Sequence, residues 1–192
     1  SRKDLEKLNH FNSHFIGHPT RKILGIEHNT GALGHGLSVA VGLALSKKID
    51  QKTNKVFSLL GDGELSEGSV WEACTTASKY QLDNLIVIID RNDLQITGKT
   101  EEVNPIEPID KKFESFGFET ISTSGNNISE LLNVFKEIPI QKNKPTVIIA
   151  KTTKGSGVSF IENQINWHHK VPSEDEYGRA ISELNEKLNS YE

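Results

Sequence analysis

Two short apolar runs, each followed at once by glycine or polar residues, constrain the fold of this chain most strongly. Residues 56–60 lead into a Gly-Asp-Gly triplet centred on Asp62, and residues 85–89 lead into a polar segment that contains Asn92. Apolar runs without alternation are typical of strands that are buried on both faces of a parallel sheet. Residues that follow neighbouring parallel strands reach the same sheet edge, where ligands bind. The sequence therefore predicts Asp62 and Asn92 at one edge of a parallel sheet.

The two side chains carry the oxygen atoms that a hard divalent cation prefers. Glycine on both sides of Asp62, at Gly61 and Gly63, lets the backbone approach an anion without a Cβ in the way. Together these features outline a site for a metal ion and a diphosphate. The structural alternative is that Asp62 lies at a helix N-terminus and that Asn92 forms a turn.

Strand-like and helix-like segments alternate along the chain, which is typical of βαβ units. Besides the two apolar runs, predicted strands cover residues 118–122 and 146–150. Predicted helices cover residues 33–48, 69–80, 130–137 and the last part of the chain. The fold class that follows is α/β, with a doubly wound and mainly parallel sheet that carries helices on both faces. We expect residues 1–192 to form a single domain.

Helix ends and apolar faces are predicted from local patterns. Ser129 is the predicted cap of the helix at 130–137, and Ser173 with Glu176 matches a capping box for the last helix. The helix at 130–137 is predicted to face the sheet with Leu131, Leu132 and Phe135. The last helix gathers on one face Tyr177, Ala180, Ile181, Leu184 and Leu188.

Composition excludes several classes of function. The formal net charge of −4 leaves no basic footprint for nucleic acid, and no segment has the ~20 consecutive apolar residues that a membrane span needs. The one cysteine, Cys74, is expected inside a helix as a small buried residue, which fits a reducing cytoplasm. Because the chain contains no methionine, we expect the natural gene product to be longer at its start.

Six segments resemble one family in order and spacing. Residues 61–73 and 90–98 closely resemble the thiamine-diphosphate signature of transketolases. The likeness continues in residues 17–20, 30–34 and 151–155, and in Trp167 with His168. This resemblance implies the thiamine-diphosphate-binding fold and a transfer of two-carbon ketol units between sugar phosphates.

The resemblance also implies a role for individual residues around the cofactor. Mg²⁺, or Ca²⁺, would be bound by Asp62, Asn92 and the backbone carbonyl of Leu94. The remaining cofactor-binding positions include the backbone of Gly63 at the diphosphate and Ile96 at the thiazolium ring. They are completed by Gly31 and Leu33 at the aminopyrimidine, and by Lys154 and His168 near the diphosphate.

Two histidines and two glutamates receive further roles from the resemblance. His18 and His168 correspond to catalytic histidines that contact the hydroxyls of the substrate, and a histidine can exchange protons near neutral pH. Glu67 and Glu72 correspond to carboxylates of a subunit interface. The alternatives are structural histidines, a solvated loop lysine at Lys154 and two solvated helix glutamates.

The sequence departs from the family pattern at two positions. His35 stands where transketolases usually have glutamine, and His169 stands where glycine is common. A structural or solvent-facing role is the simpler interpretation of His35. If His35 lies near the substrate channel, we expect it to alter specificity.

The resemblance covers only the diphosphate-binding part of the family, because the pyrimidine-binding domain with its activating glutamate is absent. The chain would then be the N-terminal subunit of a split transketolase, or a fragment of a full-length enzyme. Its partners would be a C-terminal subunit with the pyrimidine-binding domain, a second copy across a two-fold axis, and sugar phosphates. We therefore expect a cytoplasmic heteromer whose N-terminal chain is inactive alone.

Two other classes of function stay open at this point. The chain could be a non-catalytic domain that binds the cofactor or assists assembly, or part of a related thiamine-diphosphate enzyme such as deoxyxylulose-phosphate synthase. A Rossmann nucleotide-binding domain is disfavoured, because no G-x-G-x-x-G follows the first strand.

Overall fold

A computed structural model describes residues 2–189 of the chain, so residues 1 and 190–192 of the predicted domain lie outside the described residues. The strands are β1 (Val56–Gly61), β2 (Leu85–Arg91), β3 (Leu94–Gln95), β4 (Gly98–Lys99), β5 (Glu119–Ser124) and β6 (Thr146–Lys151). The α-helices are α1 (Gly36–Ile49), α2 (Gly68–Lys79), α3 (Thr100–Val103), α4 (Ile109–Ser115), α5 (Ile128–Glu137) and α6 (Glu174–Asn189). Short 3₁₀ turns cover Arg2–Lys7, Gly63–Ser66 and Ile165–Trp167.

A four-stranded sheet, with strand order β1-β2-β6-β5 and all pairs parallel, organises the chain. Because β6 lies between β2 and β5, the chain crosses over the sheet and returns to its centre. The central strands β2 and β6 are largely buried on both faces, which explains their apolar sequences without alternation. The predicted α/β fold with a mainly parallel sheet is confirmed.

Alternate residues of the strands enter two separate cores. The larger core lies between one face of the sheet and α1, α2 and α4, and contains Leu60, Val87 and Ile149. The smaller core lies on the opposite face, where Ile86 and Ile148 pack against α5. Helices therefore cover both faces, as predicted. Cys74 in α2 is completely buried, and this burial raises the pKa of its thiol to about 12.

The predicted boundaries differ from the structure at several elements. Helix α1 begins at Gly36 instead of residue 33, because the preceding residues form turns. Strand β5 runs from Glu119 to Ser124, and Phe118 instead packs its ring edge-on against Phe113 in the larger core. The sequence analysis did not predict α3, α4 or the two-residue strands β3 and β4.

The predicted cap of α5 is wrong. The residue at the N-cap is Asn127, whose side-chain oxygen accepts hydrogen bonds from the backbone N–H groups of Ser129 at 3.0 Å and Glu130 at 3.2 Å. Asparagine and serine are both good caps, so only the position at which the chain turns decides between them.

The predicted apolar face of α5 is wrong at Leu132, which is 53% exposed. The residues that pack in the smaller core are Val134, Phe135 and Ile138, and Leu131, one turn before Val134, is half-buried. Leu132 lies about 160° around the helix from Val134, which is in the smaller core, and this rotation turns it toward solvent.

Replacing Asn127 with alanine is expected to lower the free energy of unfolding by about 1 kcal/mol, because two N–H groups at the start of α5 lose their acceptor. Urea denaturation of the wild-type protein and of the Asn127→Ala variant measures this difference. Ser129→Ala is the matched control and should change the stability by less than about 0.5 kcal/mol. A larger loss in the control than in Asn127→Ala would contradict the assignment of the cap.

The capping box of α6 is confirmed. The N–H of Ser173 donates to the Glu176 carboxylate at 2.9 Å, and the N–H of Glu176 donates to the Ser173 hydroxyl at 3.3 Å. The large apolar side chains of the predicted face, from Tyr177 to Leu188, are all at least 40% exposed. Among the described residues, no helix is long and apolar enough to cross a membrane.

Candidate functional site

The carboxyl edge of the sheet brings the ends of β1, β2 and β6 together. Gly61 lies opposite Asp90 in the parallel ladder, and the N–H of Asp62 donates to the Asp90 carbonyl at 3.2 Å. On the other side of β2, Arg91 lies opposite Lys151. The structure thus places Asp62 and Asn92, which follow neighbouring strands, at the same edge.

Asp62 is a buried carboxylate with three hydrogen bonds, and it is 1% exposed. One of its oxygens, Oδ1, accepts from the N–H of Gly63 at 2.7 Å. The other, Oδ2, accepts from the N–H of Asp93 at 2.7 Å and from the Arg91 guanidinium at 2.9 Å. Asp62 is also the N-cap of the 3₁₀ turn Gly63–Ser66, so the helix-end alternative is part of its geometry.

Arg91 is a site residue that the sequence analysis missed. Its guanidinium is 9% exposed and forms ion pairs with four carboxylates, those of Asp62, Asp93, Glu101 and Glu107, at 2.9 to 3.3 Å. Burial lowers the pKa of Arg91, but the hydrogen bond to Asp62 and the charges of Asp93, Asp62 and Glu107 together raise it above the ordinary value. One sequence signal could have identified Arg91, since it is a lone arginine at the end of a buried strand and acidic residues follow it.

Asn92 forms the turn that carries the chain from β2 into β3. Its side-chain oxygen accepts from the N–H of Leu94 at 3.1 Å, and the next residue, Asp93, has a φ of 66° in the left-handed region. Asn92 is 9% and Leu94 is 8% exposed, whereas Ile96 is 54% exposed. The turn-forming alternative for Asn92 therefore also belongs to the structure.

The oxygen atoms of this edge fit a hard cation. A carboxylate or amide oxygen has two lone pairs, and the structure uses only one on Oδ1 of Asp62 and one on Oδ1 of Asn92. The side-chain oxygen of Gln95 is buried without a hydrogen-bond partner in residues 2–189. A Cβ at Gly63 would lie 3.2 Å from that oxygen, so a larger residue would close this space. No group of three or more His, Cys, Asp or Glu able to hold a metal lies within that same range.

A second loop brings His18 onto Gly31. Gly31 has a φ of +100°, and a Cβ there would lie only 2.5 Å from Cδ2 of the His18 ring. The Pro19 carbonyl accepts from both the N–H of Thr30, at 3.1 Å, and its hydroxyl, at 2.8 Å. These contacts hold the predicted substrate histidine beside a predicted cofactor glycine.

A cleft of about 390 Å³ lies next to Gly31, and Leu33, His35, Phe57 and Leu59 contribute to its lining. Leu33 is 57% exposed. His35 contributes to the lining of the cleft. Its ring also hydrogen-bonds through Nδ1 to the Leu33 carbonyl at 2.9 Å, and this bond shapes the turn before α1. The hydrogen bond fits the structural interpretation of His35, and an effect of His35 on specificity stays a prediction.

Lys154 and His168 lie close enough to interact electrostatically. The segment after β6 is joined to the sheet edge, because the N–H of Thr152 donates to the Arg91 carbonyl at 3.0 Å. Burial and the charge of Lys154 lower the pKa of His168, with a smaller contribution from His169, whose ring centroid is 4.7 Å away. Within residues 2–189, His168 has no hydrogen bond or ion pair to His18 or Asp62.

Replacing Lys154 with methionine is expected to raise the pKa of His168 part of the way toward its ordinary value of 6.5, because a nearby positive charge is removed while burial stays. An NMR titration of the His168 ring measures this. The unfolded chain takes up this proton at a higher pH than the folded chain, so His168 lowers the free energy of unfolding as the pH falls through about 6.5. Because the pKa of His168 is closer to its ordinary value in Lys154→Met, this variant should lose less stability over that pH range. Lys99→Met, which changes an exposed lysine elsewhere, should leave the titration unchanged; an unshifted pKa in Lys154→Met would contradict the expectation.

Glu67 and Glu72 do not both belong to a helix, which corrects the predicted placement. Glu67 is the N-cap of α2 with an extended backbone, at a φ of −77° and a ψ of 125°, whereas Glu72 lies within α2. Both side chains are exposed. They are therefore available to another chain.

Comparison with known proteins identifies the family. Residues 1–187 match the family described as transketolase, thiamine diphosphate binding domain. One subunit of the apulose-4-phosphate transketolase of Phocaeicola vulgatus is 44% identical over 192 residues, which are 100% of this chain and 68% of the relative. The corresponding subunit from Actinobacillus succinogenes is 49% identical over 184 residues, which are 95% of this chain and 66% of the relative.

A solved structure shows the same fold. The transketolase of Campylobacter jejuni superposes with a TM-score of 0.89 at 33% identity, over 96% of this chain and 30% of that one. The chain spans about two thirds of the two apulose-4-phosphate transketolase relatives and less than a third of the Campylobacter jejuni enzyme. The chain therefore belongs to the transketolase family, in which it corresponds to the thiamine-diphosphate-binding domain.

Proposed function

We propose that this chain is the N-terminal component of a split transketolase, which transfers a two-carbon ketol unit from a ketose phosphate to an aldose phosphate. The observation that carries the proposal is the meeting of Asp62 and Asn92 at one sheet edge, with the Gly31 loop beside His18. Two relatives are each named as one subunit of a transketolase, which supports a division of the enzyme into separate chains. Both names also contain a sugar phosphate, apulose 4-phosphate.

The chain would hold the diphosphate end of the cofactor. Asp62, Asn92 and the carbonyl of Leu94 bind Mg²⁺ or Ca²⁺ through oxygen. The other proposed contacts are Gly63, Lys154 and His168 at the diphosphate, Ile96 at the thiazolium ring, and Gly31 and Leu33 at the aminopyrimidine. When bound, thiamine diphosphate supplies the electron sink for breaking a carbon–carbon bond.

The two histidines act on the sugar. His18 and His168 bind hydroxyl groups of the donor and move protons at those oxygens. Burial and the charge of Lys154 lower the pKa of His168, which favours the neutral ring that can accept a proton. His18 lies against Gly31, which places its ring beside the cofactor loop.

The rest of the site would come from other chains. We assign the pyrimidine-binding domain to a C-terminal subunit, and a second copy of this chain to a two-fold interface that includes Glu67 and Glu72. Exposed Phe57 and Leu59, at 53% and 71%, leave apolar surface on β1 for such contacts. Residues 1–192 would thus form one diphosphate-binding domain of a cytoplasmic heteromer that has no activity without its partner.

The test is a calorimetric titration of thiamine diphosphate with Mg²⁺ into the natural chain, alone and in complex with the C-terminal subunit. Tight binding only by the complex, together with ketol transfer only by the complex, is the expected result. Equally tight binding by the chain alone would contradict the shared site. No binding in either case would favour the non-catalytic assembly domain.

A further inference from the structure

We infer that Glu64 is a positioning residue, which sets the distance between the loop at Gly31 and the loop at Asp62. Glu64 lies in the 3₁₀ turn directly after the Gly-Asp-Gly triplet. Its Oε1 accepts from the N–H of Gly34 at 2.8 Å, and its Oε2 accepts from the N–H of Gly61 at 3.3 Å. One carboxylate thus bridges two loops that lie about thirty residues apart in the chain. The inference rests on the proposed function, because it assigns these two loops to opposite ends of one cofactor.

Both backbone polar groups of Gly34 form hydrogen bonds with the segment that follows Asp62. Its N–H donates to Glu64, and its carbonyl accepts from the Ser69 hydroxyl at 2.8 Å. With a φ of +77°, Gly34 packs so closely that a Cβ would lie 2.6 Å from both Cβ of Glu67 and Oγ of Ser69. The segment from Glu64 to Ser69 therefore fixes where the loop at Gly31 lies relative to the loop at Asp62.

The hydrogen bonds of Glu64 should strengthen the binding of a ligand that contacts both loops. Hydrogen bonds from backbone N–H groups to a carboxylate are among the stronger ones, and Glu64 is only partly exposed. A ligand that contacts both loops binds more tightly when their separation is set beforehand, because less conformational freedom is lost on binding. A ligand that does not contact the loop at Gly31 gains nothing from that separation. Glu64 should therefore matter for thiamine diphosphate and not for inorganic diphosphate.

The test compares these two probes, each with Mg²⁺, on the natural chain in complex with its partner subunit. In Glu64→Gln one carboxylate oxygen becomes an NH₂ group that cannot accept from an N–H, so the bond to Gly34 or the bond to Gly61 is lost, and the bond that remains loses the charge of its acceptor. We expect the Kd for thiamine diphosphate to rise about 10-fold and the Kd for inorganic diphosphate to change by less than about 2-fold. The unchanged diphosphate affinity also shows that the variant is folded at the loop of Asp62.

Ser69→Ala is the second variant, because it removes the other bond to Gly34 and leaves Gly61 untouched. It should raise the Kd for thiamine diphosphate in the same selective way, by about 3-fold. Equal weakening of both probes by Glu64→Gln would overturn the inference, since it would mean that Glu64 supports only the loop at Asp62. An unchanged Kd for thiamine diphosphate in Glu64→Gln would overturn it as well. Failure of the proposed function is seen separately, in a wild-type complex that does not bind thiamine diphosphate at all, and that result would overturn both.

Discussion

Replacing Asp62 with asparagine should weaken the Mg²⁺-dependent binding of thiamine diphosphate by about 100-fold or more. The change removes the one charged oxygen donor of the proposed metal site, and even the loss of a group behind a metal ligand costs about 10–100-fold in affinity. All three hydrogen bonds at Asp62 come from N–H groups, on Gly63, Asp93 and Arg91. Whichever way the new amide is oriented, its NH₂ group faces a donor, so we also expect the free energy of unfolding to fall by about 1–3 kcal/mol.

Asp93→Asn is the matched control for this experiment. Asp93 also pairs with Arg91 at 2.9 Å, but its side chain is 69% exposed and is not a proposed ligand. Its φ of 66° is tolerated by asparagine, so the backbone is not strained by the change. Calorimetry on the complex should give Asp93→Asn a Kd within about 3-fold of the wild type. If Asp62→Asn behaved like Asp93→Asn, Asp62 would not be a metal ligand.

Replacing Arg91 with methionine should lower the free energy of unfolding by about 3 kcal/mol, because it leaves the carboxylate of Asp62 buried without its cation. The other three carboxylates around Arg91 are between 39% and 69% exposed, so water relieves much of their repulsion. Most of the loss should therefore come from Asp62. Urea denaturation of the metal-free protein measures it, since a bound cation would compensate for the missing guanidinium.

The control for Arg91→Met is Lys99→Met, which breaks the ion pair of Lys99 with Glu102, in which both side chains are at least 65% exposed. Exposed ion pairs contribute about 0–1 kcal/mol, so this variant should unfold at nearly the wild-type urea concentration. A loss of less than about 1 kcal/mol for Arg91→Met would show that the buried pair does not stabilise the fold, whatever its geometry.

Most of the sheet could be predicted from the sequence, because its central strands are buried on both faces and have continuous apolar runs. Strands β1, β2 and β6 were placed to within one or two residues at each end. Short elements with few apolar residues, such as α4, were not predicted, since their formation depends on packing in the larger core through Ile109 and Phe113. The cap of α5 was misplaced for a similar reason, because neighbouring residues have equal capping ability and the path of the chain chooses between them.

In the functional region too, some features could be predicted from the sequence, whereas others were seen only in the tertiary structure. The chain order of apolar runs, glycines and oxygen-bearing residues was enough by itself to place Asp62 and Asn92 on one edge, because parallel strands all end on the same side of a sheet. The sequence also determined the family, through segments whose order and spacing can be compared directly. Only the tertiary structure revealed Arg91 and Glu64 as the groups that hold this edge. Most of their partners are distant along the chain, and a hydrogen bond or ion pair depends on distance in space, which local sequence patterns do not contain.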